Sequence, residues 1–581
     1  MEFVTFEGND LYHAFLSGAR KLISIKHHLN NINVFPVPDG DTGSNMSYLM
    51  QTIINEALPS EDFSETMDSI ATAALSGSRG NSGIIISEYF NGLSEKLKGK
   101  THVKLDEFMD AVKHAIKKAY EAIMNPVEGT ILTILRKAAE VTTPQTSFNS
   151  YFKTSLEQAK QALKETTEQL EVLKKNGVVD AGAEGFTAFL EGINYYLETG
   201  KTETPNLAPV VEAIVVSHDM VVTERYCTEA LLIHVNRSSH DLQSLLAEMG
   251  SSLIVSGHSD KMRIHIHTDF PEKFFLKLRE YGQIVEQKVD DMIRQQQAIS
   301  ASHPRIAIVT DTIADLPLEI MDEYQIHRLP MSLMVDDTSY IDRFSITTDT
   351  FYDLMPQTKK FSSSQPDPKT IERTLEFLLD HYDDIIVVTV ASKLSGTYNA
   401  ILHMAQDEKR IHLVDSRQNS GAQGLVVLEA AKQIASGASL EAVLKALESV
   451  IARTRIYVSV KTLKYMVRQG RVSKVTGLLA KLMNLKPVIS LDAEGGGIIR
   501  EKAFSLHQNE KKILKLIKKA PVDQFGMVHA LAPKRAQKLA ERITEITGKK
   551  PLFTTTISPI VAMNAGIGAI GVALTFKTEV K

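Results

Sequence analysis

Over roughly the first 200 residues, apolar side chains return every three or four positions, as in Leu156, Ala159, Leu163 and Leu170. That spacing lays one stripe along a helix. Eight such stretches stand at about 9–30, 44–57, 62–79, 82–97, 104–123, 129–140, 146–174 and 181–199, parted by short breaks that carry Gly or Pro. The pattern predicts an all-helical domain over 1–200. Residues 201–212 lose the stripe and read as a linker. A small α+β domain follows over 213–300, with strand patterns at 230–235 and 262–267, a helix near 240–250, and a helix with connector over 283–303. From 304 to 581 β-branched strands alternate with helices: 305–310, a helix near 317–324, 384–391, a helix near 397–406, 411–415, and a helix near 420–435. That alternation predicts a parallel sheet covered by helices. From about 451 the order is more mixed, with strands at 456–460 and 488–492 and helices near 461–468, 474–483, 508–519 and 533–546. A second α/β lobe is predicted there. The apolar run Pro559–Phe576 contains three glycines and Asn564, and reads as buried irregular chain and strand rather than a membrane span.

Composition narrows the function. The chain has 581 residues, enough for three or four domains. A net charge of −5 argues against a dedicated nucleic-acid binder. The single cysteine leaves no intramolecular disulfide and suits a reducing cytoplasm. The N-terminal MEFVTFEGND is acidic and lacks a signal-peptide core.

The most chemistry lies in the break at 33–46, Asn-Val-Phe-Pro-Val-Pro-Asp-Gly-Asp-Thr-Gly-Ser-Asn-Met. Asp39 and Asp41 flank Gly40, whose backbone freedom lets two carboxylates converge. Mg2+ takes one or two such groups and fills its other positions with phosphate oxygens and water. The helical pattern that opens behind the loop offers free N–H groups to an anion. An Asp-Gly turn that only caps a helix has the same short signature. Three further breaks are rich in small residues: Ser76–Gly83, Asn125–Thr130 and Val179–Gly185. Each reads alone as a cap, and together with the DGD loop they favour a nucleotide site. No GxxxxGK[ST] loop is present, so such a site is built another way. In the middle domain His265 and His267 share one face of a strand, and with Cys227 they can hold Zn2+ if a fourth ligand or water completes the set. Two solvent-facing histidines and a buried cysteine fit the same spacing. In the last domain small polar residues follow strands at 310–312, 362–366 and 392–398, where open parallel sheets bind ligands. The Gly566–Gly571 match to GxGxxG lies too near the end of the sequence to serve a dinucleotide.

These motifs also carry family resemblances. PVPDGDTGSNM, GSRGNSG, NPVEGT and VVDAGAEG resemble the nucleotide-binding domain of dihydroxyacetone kinases, and more closely the kinase subunit of bacterial fatty acid kinase. The resemblance implies an eight-helix barrel with Mg-ATP at one end. Asp39 and Asp41 would then hold Mg2+, while Thr42, Ser44, Asn45, Ser82 and Gly83 meet phosphates and Thr130, Asp180 and Gly182 lie near the nucleoside. Dihydroxyacetone kinases place a third Asp before the pair, where this chain has Asn33 or Val34. YCTE and RIHIHTD resemble the middle domain of the same kinase protein, in which these positions bind zinc. VTDTIADLP, FSSSQPDP, SKLSGTY, VDSRQNSGAQGL and RQGRVSK resemble the DegV family of fatty-acid-binding proteins over most of 304–581, in lobes of about 304–450 and 451–581. That resemblance implies a long-chain fatty acid between two lobes, its carboxylate near Ser363, Ser364, Ser395 and Gly396. Arg471 would lie toward the phosphate or the docking face, and Asn564 stands where the family usually has His. The whole is similar to a fatty acid kinase fused to its acyl carrier. It implies ATP-dependent phosphorylation of a carboxylate, a homodimer through the kinase domain, and acyl-phosphate-using enzymes at the inner membrane face as partners. A lipid-binding regulator with a degenerate kinase site and a dihydroxyacetone-type small-molecule kinase remain open on the sequence.

Overall fold

The computed structural model describes residues 2–203, 222–258, 260–300, 303–336, 338–356, 358, 360–469 and 485–579. The chain divides into two compact units, Met1–Ala301 and Ser302–Lys581.

The first unit opens with helices at each predicted stretch: Gly8–Ser24, Lys26–Asn31, Thr42–Glu56, Phe63–Gly77, Gly80–Lys96, Leu105–Glu121, Ile131–Ala139, Phe148–Gln169, Glu171–Asn176 and Ala181–Thr199. Two predicted helices are each broken once, at Ile25 and at Leu170. Side-chain caps fix several starts, among them Asp62 on the Glu65 N–H and Ser147 on the Ser150 N–H. Aromatic side chains fill the core, with Phe6 stacked on Phe148 at 4.0 Å between ring centroids.

The middle region is a four-stranded antiparallel sheet in the order Ser251–His258, Lys261–Thr268, Tyr226–Ile233, Gln283–Asp291. Helices Ser239–Leu246, Pro271–Leu278 and Met292–Ile299 complete it. The stretch 283–303, expected as a helix and connector, begins instead with the strand Gln283–Asp291. Its charged residues Glu286, Lys288 and Asp290 alternate along one face, and such a polar strand lacks the apolar alternation by which strands are recognised.

In the second unit, the first lobe has a parallel sheet ordered Ile411–Asp415, Asp384–Thr389, Ile306–Asp311, His327–Leu329. A three-stranded antiparallel sheet, including Phe361–Ser364, stands beside it. The second lobe has a six-stranded mixed sheet: Gly497–Glu501, Val488–Leu491, Thr454–Ser459, Ile570–Phe576, Val522–His529, Thr554–Thr556. The mostly buried helix Ser420–Ala435 touches strands of both large sheets and makes one core of the two lobes. Of the apolar run at 559–576, the first part is not irregular. Ser558 caps a helix over Pro559–Ala565, and the strand Ile570–Phe576 follows. The predicted helix 474–483 and Arg471 lie outside the described residues. Among the described residues no helix is long and apolar enough to cross a membrane.

Candidate functional site

The four breaks of the helical domain meet. A Cβ on Gly80 would stand 2.7 Å from Asn45 Nδ2, and one on Gly182 would stand 2.4 Å from Ser82 Oγ. These glycines are contact points where helix starts touch. Asp180 joins the third pair of breaks. Its carboxylate caps Ala183 N at 2.8 Å and also accepts from the Ile131 backbone, so it ties the starts of Ala181–Thr199 and Ile131–Ala139 together. Burial pushes its pKa up to about 7 against the pull of these N–H groups. Gly182→Ala is therefore expected to destabilise the chain by about 1–3 kcal/mol, the usual cost of overpacking. Urea denaturation checks this, and an unchanged midpoint would contradict the close packing.

Where the starts converge lies a cleft of about 40 Å3, space for an ion with a few waters rather than a whole nucleotide. Asp39, Asp41, Thr42, Asn45 and Ser82, all candidates from the sequence, line it. Gly40 adopts φ 66°, which turns both acids to the same floor. Asn33 stands beside the pair. It is buried, its Nδ2 donates to Asp39 Oδ1 at 2.6 Å, and its Oδ1 accepts from Thr42 Oγ1 at 2.9 Å. It orients the loop without adding charge. Burial raises both aspartates above the ordinary carboxyl range. For Asp39 the neighbouring Asp41 adds to this and Asn33 opposes it; for Asp41 the ammonium of Lys288 is the main opposing influence. Two half-buried carboxylates on one floor fit a hard divalent cation.

Other predicted residues sit elsewhere. Ser44 is turned to Asn30, accepting from its Nδ2 at 3.0 Å and donating its own N–H to Oδ1 at 3.0 Å. Thr130 caps Ile131–Ala139 through the Leu132 N–H and does not line the cleft. Gly83 follows Ser82 inside the helix Gly80–Lys96, also off the cleft wall.

The far wall comes from the middle sheet. Cys227, His265 and His267 line the same cleft as the two aspartates. Strand register explains this. Cys227 stands between His267 and Asp290, Glu229 between His265 and Lys288, and Leu231 between Arg263 and Glu286. Because side chains alternate, these nine share one face. That face is turned onto the helical domain: Glu229 Oε1 accepts from Gly80 N at 2.7 Å, and Arg263 Nη2 donates to Ser76 O at 2.7 Å. Beside them Glu88 Oε2 accepts from Ser256 Oγ at 2.7 Å and Gly257 N at 2.9 Å.

The two histidines are buried, not solvent-facing as one reading of the sequence had it. The donor atoms of Cys227, His265 and His267 lie within 4.8 Å of one another. Cys227 Sγ lies 3.8 Å from His265 Nδ1. His265 Nε2 is buried without a partner among the described residues, while Nδ1 is 3.2 Å from Glu229 Oε1. Burial, helped by His265, pushes His267 down to about 3, so it is neutral and able to ligate. Burial likewise drives the Cys227 thiol well above its usual value, with Lys288 pulling the other way. A bound cation reverses that preference. Asp269 is exposed, and its Oδ1 accepts from Arg225 N at 2.8 Å.

Sequence reasoning missed Glu229, Lys288 and Asp290. Lys288 Nζ lies 2.7 Å from Asp290 Oδ2 and 3.8 Å from Glu229 Oε1. Although burial opposes ionisation, Lys288 and then His265 hold Glu229 well below the usual carboxyl range. The signal was parity: Glu229 is two residues from Cys227, and Lys288 two from Asp290.

The second unit holds a cavity of about 500 Å3. Its wall is mainly apolar, with Ile313, Met331, Ile489 and Leu491 among its residues, and Ser363, Ser395, Asn419 and Asn564 bring polar atoms to it. Ser395 Oγ is 2.9 Å from Thr397 Oγ1. Asn564 donates Nδ2 to Ile560 O at 2.9 Å, and the Oδ1 atoms of Asn419 and Asn564 are buried without partners among the described residues. Ser364 is exposed, and Gly396 precedes the helix Thr397–Ala405, its own place against Gln365 Oε1. Neither lines the cavity. Asn419 was not predicted.

Comparison with known proteins bears on both units. Residues 36–195 match the DAK2 domain, 223–299 the FakA-like middle domain of fatty acid kinase, and 305–577 the model described as an uncharacterised protein of the DegV family. Protein YloV of Bacillus subtilis strain 168 is 30% identical over 331 residues, 53% of this chain and 59% of that protein. An uncharacterised protein of Staphylococcus saprophyticus is 32% identical over 306 residues, 49% of this chain and 55% of its own length. The chain thus spans a little over half the length of these curated relatives. Among solved structures, a DegV family protein of Thermus thermophilus described by its fatty acid binding aligns with TM-score 0.44 and 25% identity, over 47% of this chain and 99% of its own. DegV of Bacillus subtilis, described as a fatty acid binding protein, aligns with TM-score 0.43 and 25% identity, over 47% of this chain and 100% of its own. In one polypeptide, then, this chain joins a DAK2 domain, a FakA-like middle domain of the fatty acid kinase kind, and a DegV domain.

Proposed function

We propose that the chain is a fatty acid kinase that carries its own acyl-binding domain, transferring the γ-phosphate of ATP to the carboxylate of a bound long-chain fatty acid to give acyl phosphate and ADP. One observation carries the reading: a single polypeptide holds both a cleft with two half-buried carboxylates at converging helix starts and a mainly apolar cavity of about 500 Å3 with hydroxyl and amide groups in its wall. A cavity of that size falls within the range of about 300–1,000 Å3 that encloses small ligands. The family models support a nucleotide-dependent kinase domain beside a DegV domain. The two solved DegV proteins are described as binding fatty acid, and the proposal extends that to this one.

A carboxylate oxygen forms the new bond to Pγ, the bond from Pγ to the β,γ-bridging oxygen breaks, and ADP leaves with that electron pair. An acceptor with pKa near that of side-chain carboxyls, about 4, is already ionised at neutral pH, so the step calls for no general base. Mg2+ would supply charge neutralisation at the phosphates. Asp39 and Asp41 would hold it, with Asn33 fixing Asp39. Thr42, Asn45, Ser82 and the free N–H groups of the helix starts would receive phosphate oxygens. Asp180 and Gly182 would act through packing, by keeping those starts together. In the second unit Ser363, Ser395, Asn419 and Asn564 would bind the head group.

Incubating the chain with Mg-ATP and a panel of fatty acids, with hydroxylamine as trap, is expected to yield acyl hydroxamate. Wild-type protein that binds ATP and yields none from any acid would overturn the proposal. The Cys227, His265 and His267 donor set also fits Zn2+. The purified chain is expected to carry about one zinc per chain by elemental analysis, and Cys227→Ser to carry at least about tenfold less after brief chelation. Equal zinc in both would refute the assignment.

A further inference from the structure

Arg79 is the only Lys or Arg among the described residues that line the cleft, which Asp39 and Asp41 also line. It is 8% exposed. Its guanidinium meets groups from two elements. Tyr48, from the helix that begins behind the DGD loop, lies 3.7 Å from it, ring centroid to Cζ. Glu286 of the middle sheet offers Oε1 to Nη2 at 3.5 Å. The next residue is fixed as well, because the Gly80 N–H donates to Glu229. Arg79 and Gly80 are thus held by acids from two neighbouring rows of the polar face.

Glu286 Oε2 also accepts, at 3.1 Å, from Arg263, which is fully buried and bonded to Ser76 O. Glu286 therefore meets two guanidinium groups, and Arg79 is the one that lines the cleft.

We infer that Arg79 stabilises the charge on the phosphoryl group during transfer, and that Tyr48 and Glu286 are the positioning residues that hold its plane. The inference rests on the kinase reading above. Phosphoryl transfer is catalysed by placement and charge, and a single arginine at this point is worth about 10^3–10^5 in kcat in other phosphotransfer enzymes. The middle domain then completes the site through Glu286, not merely by covering it.

Titration calorimetry on the full chain separates the transition-state role from ground-state binding. Wild type is expected to bind MgADP about 100-fold more tightly when fluoroaluminate is present. Arg79→Lys keeps the charge but loses the planar fork. It is expected to bind MgADP alone within about threefold of wild type and to lose nearly all of the fluoroaluminate gain. Glu286→Gln, which leaves Arg79 in place without its acidic partner, is expected to lose part of that gain. If Arg79→Lys keeps the full gain, or loses MgADP affinity in the same proportion, Arg79 is a strut or a ground-state anchor and the inference falls. If Arg79→Lys does not fold, Glu286→Gln decides, since an unchanged gain overturns the inference and a reduced one supports it. Wild type with neither gain nor hydroxamate refutes the kinase reading, and the inference with it. Wild-type hydroxamate matched in rate by Arg79→Lys refutes the inference alone.

Discussion

Asp39→Asn and Asp41→Asn are each expected to lower hydroxamate formation by about 10^3-fold or more, since each removes a charged oxygen from the only pair of acids on the cleft floor among the described residues. The ion-free fold should not suffer. Both aspartates are held above the ordinary carboxyl range by burial, and Asp39 also by its neighbour. Between the unfolded carboxyl value of about 3.9 and the raised folded value, the folded chain keeps a proton that the unfolded chain has released. Stability without Mg2+ therefore falls as pH rises through that window and is level above it. An amide is neutral throughout, so Asp39→Asn should show a shallower fall and equal or greater stability at neutral pH. Mg2+ should raise the melting temperature of wild type and leave that of the variant nearly unchanged. Calorimetric melts from pH 4 to 8, with and without Mg2+, check both halves. Wild type indifferent to Mg2+, or an Asn variant with full turnover, would contradict the assignment.

Val561→Trp is the second large effect. Val561 lies on Pro559–Ala565 and borders both the main cavity and an adjoining chamber of about 80 Å3. An indole placed there occupies the space an acyl chain would need. Affinity for long-chain fatty acid should fall at least about 100-fold, and hydroxamate with it, at a stability cost of no more than about 1–3 kcal/mol. MgADP binding should be unchanged, because every residue of the cleft belongs to Met1–Ala301. Displacement of a fluorescent fatty acid and nucleotide calorimetry on the same sample read the two sites separately. Loss of both, or of neither, would sink the division of labour.

Local signals in the sequence carried far. Leu156, Ala159 and Leu163 give a helix wherever they fall, and Gly-bearing breaks mark its ends. The Asp-Gly-Asp loop shows where two carboxylates can converge, although a helix-capping turn has the same short signature. Long-range relations were out of reach. Nothing near Asp39 says that Cys227, His265 and His267 form the opposite wall of its cleft, and the sequence reads them as a separate site. The meeting of Gly182 with Ser82 was similarly invisible, since it depends on how two helices cross. Lys288 was lost for a different reason. Its strand has a charged face that is buried, and burial of charge is what sequence patterns are built to discount. Asn33 was seen but not understood, because its role lies in a hydrogen bond to Asp39 and not in its formal charge.

Strand parity also decides what kinds of change this protein can survive over generations. Removing one residue anywhere from Lys261 to Ile264 would turn His265 and His267 together to the opposite side of the sheet. The register is irregular at Leu231/Leu232 and at Ser251/Ile254, and such bulges are where a strand takes up an extra residue. Substitutions can therefore drift through the apolar side of these strands, whereas insertions and deletions are confined to the connecting turns. The chemistry of the cleft is inherited as a block, kept whole or lost in one step.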